Sequence, residues 1–180
     1  IPLCDWSSDV CSSDLIRKKD DFSLDGDPYF ENGLRKRPDR ATIFYTSYFK
    51  RRYKNIPIVL GGVEASLRRV AHYDYVQQKI RKSVLFDSKA DILVYSMGEK
   101  AIVEVAKRLS NGLTLDGIRG TAIKKKNAEG LGKFIELPSY NDMLKDKSLL
   151  IKATSLMEEN MVWDKSDILA QKHDNEYVVV

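Results

Sequence analysis

Cysteine is almost absent from this chain of 180 residues. Its two cysteines, Cys4 and Cys11, both lie within the first 15 residues. The sequence after Cys11 therefore contains no disulfide and no thiolate metal site of its own.

Long hydrophobic runs are missing as well. No apolar stretch approaches the roughly 20 residues that a helix needs to span a bilayer. The opening residues, IPLCDWSSDVCSSDL, lack both the basic region and the apolar region of a secretory signal peptide. We therefore expect a cytoplasmic protein with no membrane partner.

The motifs of several enzyme classes are also absent. The chain has two histidines, His72 and His173. It contains no GxSxG nucleophile, no HExxH metal motif, no P-loop and no GxGxxG fingerprint. Nor do its histidines and acids cluster with metal-ligand spacing. The sequence thus offers no metal site and no standard hydrolase site.

The first residues differ from the rest of the chain. The run DWSSDVCSSDL, residues 5–15, is what a common sequencing-adapter oligonucleotide encodes when read in frame. We expect residues 1–15 to be an assembly artefact, with a native Ser/Asp-rich leader as the alternative. Without this acidic stretch the net charge rises from +4 to +7. Such a charge suits nucleic acid or an anionic cofactor, and is equally typical of a solvated surface.

The hydrophobic pattern predicts alternating strands and helices. Apolar runs predict strands at 56–60, 90–99, 121–123 and 176–180. Helical spacing predicts helices at 40–54 with Asp39 as N-cap, at 66–86 with a break near His72, at 99–110, at 137–161 as one helix or a pair, and at 168–173. Residues 16–38 are predicted to be loop. The alternation indicates an α/β architecture around a parallel sheet.

The first predicted helix is rich in aromatic side chains and ends in the basic run FKRRYK. Its aromatic residues are Phe44, Tyr45, Tyr48, Phe49 and Tyr53. We expect them to pack inside the protein, with a base-stacking platform as the alternative.

Two predicted strands end in similar turns, IVLGGVE and LVYSMGE. Ligands of open parallel sheets bind beyond the carboxyl ends of the strands, and glycine lets a ligand approach the backbone closely. We therefore expect Gly61, Gly62, Glu64, Gly98 and Glu99 to lie along one candidate ligand edge. In the alternative interpretation, the glycines only turn the chain and the acids favour helix N-termini.

Further candidate residues follow the first of these turns. The forked guanidinium groups of Arg68 and Arg69 suit carboxylates or phosphates. His72 and Asp74 are a candidate proton-transfer pair, but residues two apart face differently on the predicted helix. A hydrogen-bonded structural histidine is the alternative, and His173 has no promising neighbour in the sequence.

Three runs resemble the YgiQ family of radical SAM proteins: RPDRAT, GGVEASLRRVAHYDY and DSKADILVYSMGE. The resemblance continues in AIVEVAKRL, GIRGTAI and QKHDNEYVV, and covers roughly residues 16–180. It implies a [4Fe–4S] cluster and S-adenosylmethionine in the full-length protein, held through a downstream CxxxCxxC motif. Because no cysteine follows Cys11, those cluster residues have no counterpart here. The D-x-H-x-x-G pattern of cobalamin binding is absent too.

The resemblance also implies a domain organisation. Residues 16–125 are expected to form a partial, Rossmann-like and cobalamin-binding-like domain, whose sheet is incomplete. Residues 126–180 are expected to be a linker, a helix and the start of the connection to a missing radical SAM core. The predicted strand at 176–180 reaches the last residue, so we expect an internal fragment.

Our leading hypothesis is a fragment of a YgiQ-type radical SAM enzyme that is inactive alone and binds no cofactor or metal. Its partners would be its own downstream core and an unknown substrate. The residues expected to approach them are Glu64, Arg68, Arg69, His72, Asp74 and Glu99. The alternatives are an RNA-binding module that uses FKRRYK and IKKK, and a non-catalytic small-molecule sensor.

Overall fold

The computed structural model describes residues 40–75, 77–160 and 167–180, which form an α/β fold. The described helices are α1 (Ala41–Arg52), α2 (Gly62–Leu67), α3 (Val84–Ser88), α4 (Glu99–Ser110), α5 (Tyr140–Lys145) and α6 (Leu149–Glu159). The described strands are β1 (Val59–Leu60), β2 (His72–Asp74), β3 (Lys79–Arg81), β4 (Ile92–Val94), β5 (Thr121–Lys125), β6 (Phe134–Leu137), β7 (Ile168–His173) and β8 (Glu176–Val179). Residues 1–15, the predicted loop at 16–38 and Asp39 lie outside the described residues. The prediction of Asp39 as N-cap is wrong, because α1 begins at Ala41 and its N-cap is Arg40.

The main sheet has six strands in the order β1-β4-β5-β8-β7-β6. Only the pairs β1–β4 and β6–β7 are parallel, and the other neighbouring strands run antiparallel. The prediction of a parallel, Rossmann-like sheet is therefore wrong for the sheet as a whole, because β5 and β8 return against their neighbours. Where the sequence predicts a linker and a short helix after residue 125, the chain adds β6 and β7 to this sheet, and the predicted strand at 176–180 joins them as β8.

The sheet is covered on both faces near β4. Ile92 and Val94 pack with Ala101 and Val105 of α4 in one core cluster. Leu93, which points the other way, packs in a second cluster with residues of α2 and α3. All three residues of β4 are buried. This arrangement explains why the run ILV is continuously apolar instead of alternating.

The predicted helix at 66–86 is wrong over most of its length. The chain there forms α2, the antiparallel hairpin β2–β3 and the short helix α3. The expected break near His72 is where β2 begins. The hairpin turn is closed by the carboxylate of Asp74, which accepts a hydrogen bond from the Gln77 amide at 3.1 Å. Helices α5 and α6 pack against the hairpin in a hydrophobic cluster that contains Ile80, Met143 and Ala153.

The predicted short helix at 168–173 is also wrong, since these residues form β7. The strand pairs with β8 through a tight turn, in which His173 lies opposite Glu176. Asp174 in this turn has a positive φ of 52°, which aspartate tolerates better than most residues. A short Asp-Asn turn between two apolar runs is a hairpin signal, and it was missed here.

Other elements follow the sequence closely. The predicted helix at 99–110 is α4, with Gly112 at a φ of 64° just past its end. The predicted strands at 56–60, 90–99 and 176–180 contain β1, β4 and β8, and the predicted strand at 121–123 is the first part of β5. The region 137–161 is a helix pair, α5 and α6, in its described part. None of the described helices has the length and apolar character needed to cross a membrane.

Candidate functional site

The two glycine turns lie at the same edge of the main sheet. Strands β1 and β4 are parallel neighbours, with Leu60 opposite Leu93, so their carboxyl ends are side by side. Gly61 and Gly62 follow β1, and Gly98 and Glu99 open α4 after β4. A hydrogen bond of 3.3 Å from the Ser96 amide to the Ser66 hydroxyl joins the two turns.

Two of these glycines are required by the backbone or by packing. Gly62 has a φ of 86°, in the region that residues with a Cβ rarely adopt. Gly98 has an ordinary φ, but a Cβ built on it would lie 2.5 Å from Cγ1 of Val94. Gly98 therefore permits the close contact between the start of α4 and β4. Both requirements are structural, in line with the alternative interpretation of the turns.

Glu64 does not face the open edge. Its side chain is buried, forms an ion pair with Arg68 at 2.7 Å and accepts a hydrogen bond from the Thr42 hydroxyl at 2.5 Å. Arg68 is buried as well. The pair therefore connects α1 to α2 inside the protein, instead of offering charge to a ligand.

Asp74 is the centre of a second internal connection. Its buried carboxylate pairs with Arg40, the residue that precedes α1, and accepts the hydrogen bond from the Gln77 amide. Burial acts to raise the pKa of Asp74, but the hydrogen bonds from Arg40 and the Gln77 amide outweigh it and hold the pKa below its usual value. Asp74 is thus an anion that holds α1 against the hairpin β2–β3.

These contacts bring two of the family-like sequence runs together. Arg40 and Thr42 belong to the run RPDRAT, and their partners Asp74 and Glu64 belong to GGVEASLRRVAHYDY. The four residues and Arg68 form what we call the α1 clamp. Its members are 22 to 34 residues apart across the two runs, which is why the clamp is invisible in either run alone.

His72 lies on the same strand as Asp74, and residues two apart on a strand share one face. The sequence-based statement that the two face differently is therefore wrong. The Nδ1 atom of His72 is 3.2 Å from the carbonyl oxygen of Val70, which favours the tautomer with the proton on Nδ1. Its Nε2 atom is buried, and no residue in the described part of the chain forms a hydrogen bond with it. Burial lowers the pKa of His72 to about 4.

Arg69 is a half-buried cation near the carboxyl ends of β1 and β4, which we call the strand-end edge. Its Nη1 atom donates a hydrogen bond of 2.6 Å to the Ser66 carbonyl, and its guanidinium lies 5.0 Å from the centre of the Tyr95 ring. Burial lowers the pKa of Arg69 and raises that of Tyr95. Tyr95 was missed in the sequence, although it directly follows β4 just as Gly61 follows β1.

Glu99 is exposed in the first turn of α4, where it complements the helix dipole.

His173 has neighbours that the sequence did not suggest. Its buried ring lies between Phe86, at 4.9 Å between ring centres, and Tyr140, at 5.7 Å. Both ring nitrogens lack a hydrogen-bond partner among the described residues. Burial, and after it the positive charge of Lys82, lowers the pKa of His173 to about 4. A positive charge on His72 acts on the pKa of His173 in the same direction.

The described residues do not suit an iron–sulfur cluster. They include no cysteine, and no three or more of their histidine, aspartate and glutamate side chains come together as metal ligands. The chemistry available in them is that of an internal ion-pair network and of a strand-end edge that carries Arg69, Tyr95 and Glu99.

Comparison with known proteins shows the family of this chain. The Radical SAM N-terminal family matches residues 8–180, and the chain therefore belongs to this family. The resemblance to YgiQ-type radical SAM proteins is thereby confirmed. No solved structure matches the chain.

The similar curated proteins are UPF0313 proteins. MJ1155 of Methanocaldococcus jannaschii is 45% identical over 163 residues, which are 86% of this chain and 26% of the relative. The relative from Thermotoga neapolitana is 45% identical over 91% of this chain and 28% of its own length. One from Clostridium botulinum is 40% identical over 91% of this chain and 25% of its own length. This chain thus spans about a quarter of the length of these relatives.

Proposed function

We propose that this chain is the N-terminal part of a YgiQ-type radical SAM enzyme with an unknown substrate. The family match over residues 8–180 carries the proposal. A [4Fe–4S] cluster and S-adenosylmethionine would be bound by the part of the enzyme that this chain does not span. Such a cluster requires thiolate ligands, which the described residues lack. We also propose a cytoplasmic location, on the sequence grounds given above.

The role proposed for this chain is that of a folded scaffold beside the catalytic part. We infer that exposed Glu99 and half-buried Arg69 of the strand-end edge face the substrate or the catalytic part. Glu64, Arg68 and Asp74 would support them from inside. In the full-length protein, Glu99→Ala and Arg69→Ala should lower the rate at which S-adenosylmethionine is consumed. The midpoint of thermal unfolding should stay close to that of the parent. Unchanged turnover in both variants would limit the edge to a structural role.

The proposal is tested by anaerobic iron and sulfide reconstitution of the full-length protein beside this chain alone. We expect the visible absorbance of one [4Fe–4S] cluster, and consumption of S-adenosylmethionine under reducing conditions, from the full-length protein only. A full-length protein that takes up no cluster would refute the assignment. A stoichiometric cluster on this chain alone would refute the role of scaffold.

A further inference from the structure

Helix α1 has its apolar side chains on the outside. The inner face carries buried Thr46 and partly buried Ile43, which packs against the second core cluster. The aromatic residues expected to be internal are instead 48–57% exposed. They are Phe44, Tyr45, Tyr48, Phe49 and Tyr53, which we call the aromatic face. The prediction that these side chains pack inside the protein is therefore wrong within the described structure.

The contacts of α1 fix this orientation. At its N-terminal end, the α1 clamp holds Arg40 and Thr42 to Asp74 and Glu64. Near its C-terminal end, Lys50 pairs with Asp91 at 2.6 Å, just before β4. A helix anchored at both ends cannot easily rotate its aromatic residues inward. The fold therefore presents the aromatic face outward.

The rings of the aromatic face contact one another in two groups, which follow each other at helical spacing along α1. Phe44 packs edge to face on Tyr45, with 5.6 Å between ring centres, and Tyr48 does so on Phe49 at 5.8 Å. Phe49 stacks on Tyr53 at 6.5 Å. Since aromatic side chains bury 150–250 Å² each, five half-exposed ones offer about 500 Å². A patch of this size on a free surface commonly marks a site of interaction.

The size and charge of the patch indicate the kind of partner. Interfaces between domains of one chain bury about 600–1,500 Å² in total, which two patches of about 500 Å² would match. Obligate homodimers usually bury about 2,000 Å² or more. The exposed cations of the helix, Arg51 and Arg52, lie between Phe49 and Tyr53 in the sequence, at the C-terminal end of the aromatic face. Arginine and aromatic side chains are both enriched in protein interfaces. A platform for single-stranded nucleic acid would place cations along the whole stack, including the rings of Phe44, Tyr45 and Tyr48.

We propose that the aromatic face is the surface on which the remainder of the full-length polypeptide docks. The inference rests on the proposed function, and on the finding that this chain spans 26% and 28% of the first two relatives' lengths. The occupant is a protein surface of the same polypeptide, with apolar groups opposite the rings and acidic groups opposite Arg51 and Arg52. The α1 clamp holds the helix in position for this contact.

The test is site-specific photo-crosslinking in the full-length protein. Benzoylphenylalanine replaces Tyr48 at the centre of the aromatic face, and the matched control replaces Lys107, an exposed residue of α4. After irradiation, mass spectrometry of the peptides should show intrachain crosslinks from position 48 to residues beyond 180, at a severalfold higher yield than from position 107. Crosslinks to RNA, crosslinks between two copies, or a yield equal to the control would each overturn the proposal.

A second measurement tests how much the aromatic face contributes to the stability of the docking contact. In the full-length protein, Tyr48→Ser with Phe49→Ser should weaken the contact between this N-terminal part and the remainder of the polypeptide. Trypsin should then cleave the chain between the two parts about tenfold faster or more, since central aromatic residues carry much of the energy of an interface. The control is Leu113→Ser, at an exposed apolar residue outside α1. An equal rate in both variants would contradict docking at the aromatic face.

These outcomes can be separated from failure of the proposed function. A full-length protein that binds the cluster and consumes S-adenosylmethionine, but gives no crosslink from position 48, would overturn the docking surface alone. Intrachain crosslinks in a protein that binds no cluster would overturn the radical SAM assignment and leave the docking surface intact.

Discussion

At the scale of residues, the acids and arginines of GGVEASLRRVAHYDY have mainly internal roles. A carboxylate four residues before an arginine is compatible with a ligand site and equally with a buried pair. The structure favours the second role for Glu64 and Arg68, because both are buried and 2.7 Å apart. Such a pair strengthens the fold little in itself, but loss of one member leaves the other charge buried and unpaired.

Glu64→Gln should therefore destabilise this chain by about 3–5 kcal/mol. The variant keeps the shape of the side chain but leaves the guanidinium of Arg68 without its counter-charge. Urea unfolding followed by circular dichroism measures the change. Glu99→Gln is the control, because an exposed acid should change the stability by no more than about 0.5 kcal/mol. If the two variants have the same midpoint, Glu64 is not part of a clamp.

The two histidines form a second group of polar residues, in which His173 is buried and His72 is partly buried. Burial is the main cause that lowers the pKa of each to about 4, from a usual value of 6.5. Both are therefore neutral in the folded protein at neutral pH. As the pH falls from 6.5 towards 4, the unfolded chain takes up protons that the folded chain does not. The free energy of unfolding should consequently fall with decreasing pH in this window.

His173→Phe should reduce that pH dependence. Phenylalanine keeps a ring between Phe86 and Tyr140 but cannot be protonated. A shift of this size corresponds to about 3 kcal/mol for one histidine. Urea midpoints measured from pH 6.5 to pH 4 should therefore fall less steeply in the variant than in the parent. Parallel curves would show that His173 titrates normally in the folded protein.

At the scale of elements, the start of α4 depends on one close contact. Gly98 is its N-cap, and a Cβ there would meet Cγ1 of Val94 at 2.5 Å. Gly98→Ala should cost about 1–3 kcal/mol through overpacking, while Lys107→Ala on the exposed side of α4 should cost little. Val94→Ala removes the clashing methyl group. In a double-mutant cycle measured by urea unfolding, the two changes together should cost less than the sum of the single changes. Additive costs would contradict the clash.

Locally encoded elements were predicted well, because their signals lie within one window of sequence. The apolar run of β4 and the helical stripe of α4 are of this kind. The hairpin β2–β3 and strand β7 depend on distant contacts. The Ala71 amide, for example, donates a hydrogen bond of 2.7 Å to the side chain of Gln171, 100 residues away. The residue pattern within the run AHYDYVQQKIR carries no information about a contact this distant. The prediction from local helical propensity was therefore a helix, whereas the chain forms a hairpin.

The candidate site was predicted in part for the same reason. That Gly61 and Gly98 lie at one edge follows from two strands that end alike and run parallel, which the sequence could indicate. The inward orientation of Glu64 follows from Thr42 and Arg68, and only the folded chain shows it. Tyr95 beside Arg69 was missed because an aromatic residue at a strand end carries no signal of its own.

At the scale of the whole molecule, the described surface combines firm internal anchoring with an apolar exterior on α1. A hydrophobic patch that the described residues leave exposed favours association with other apolar surfaces in solution. This chain alone is therefore expected to self-associate through the aromatic face, whereas the full-length protein would have the face covered. The aromatic residues should matter little for the fold of this chain, because they are half exposed.

Tyr48→Ser with Phe49→Ser should accordingly make this chain more soluble at a small cost in stability. Both rings are about half exposed, so their loss should lower the urea midpoint far less than the loss of a buried side chain. Light scattering at increasing concentration should show less association, because the apolar area is smaller. Met143→Ser is the contrasting variant, since Met143 is fully buried and its loss should lower the midpoint strongly. If the double variant loses as much stability as Met143→Ser, the aromatic face belongs to the core of this chain and not to an interface.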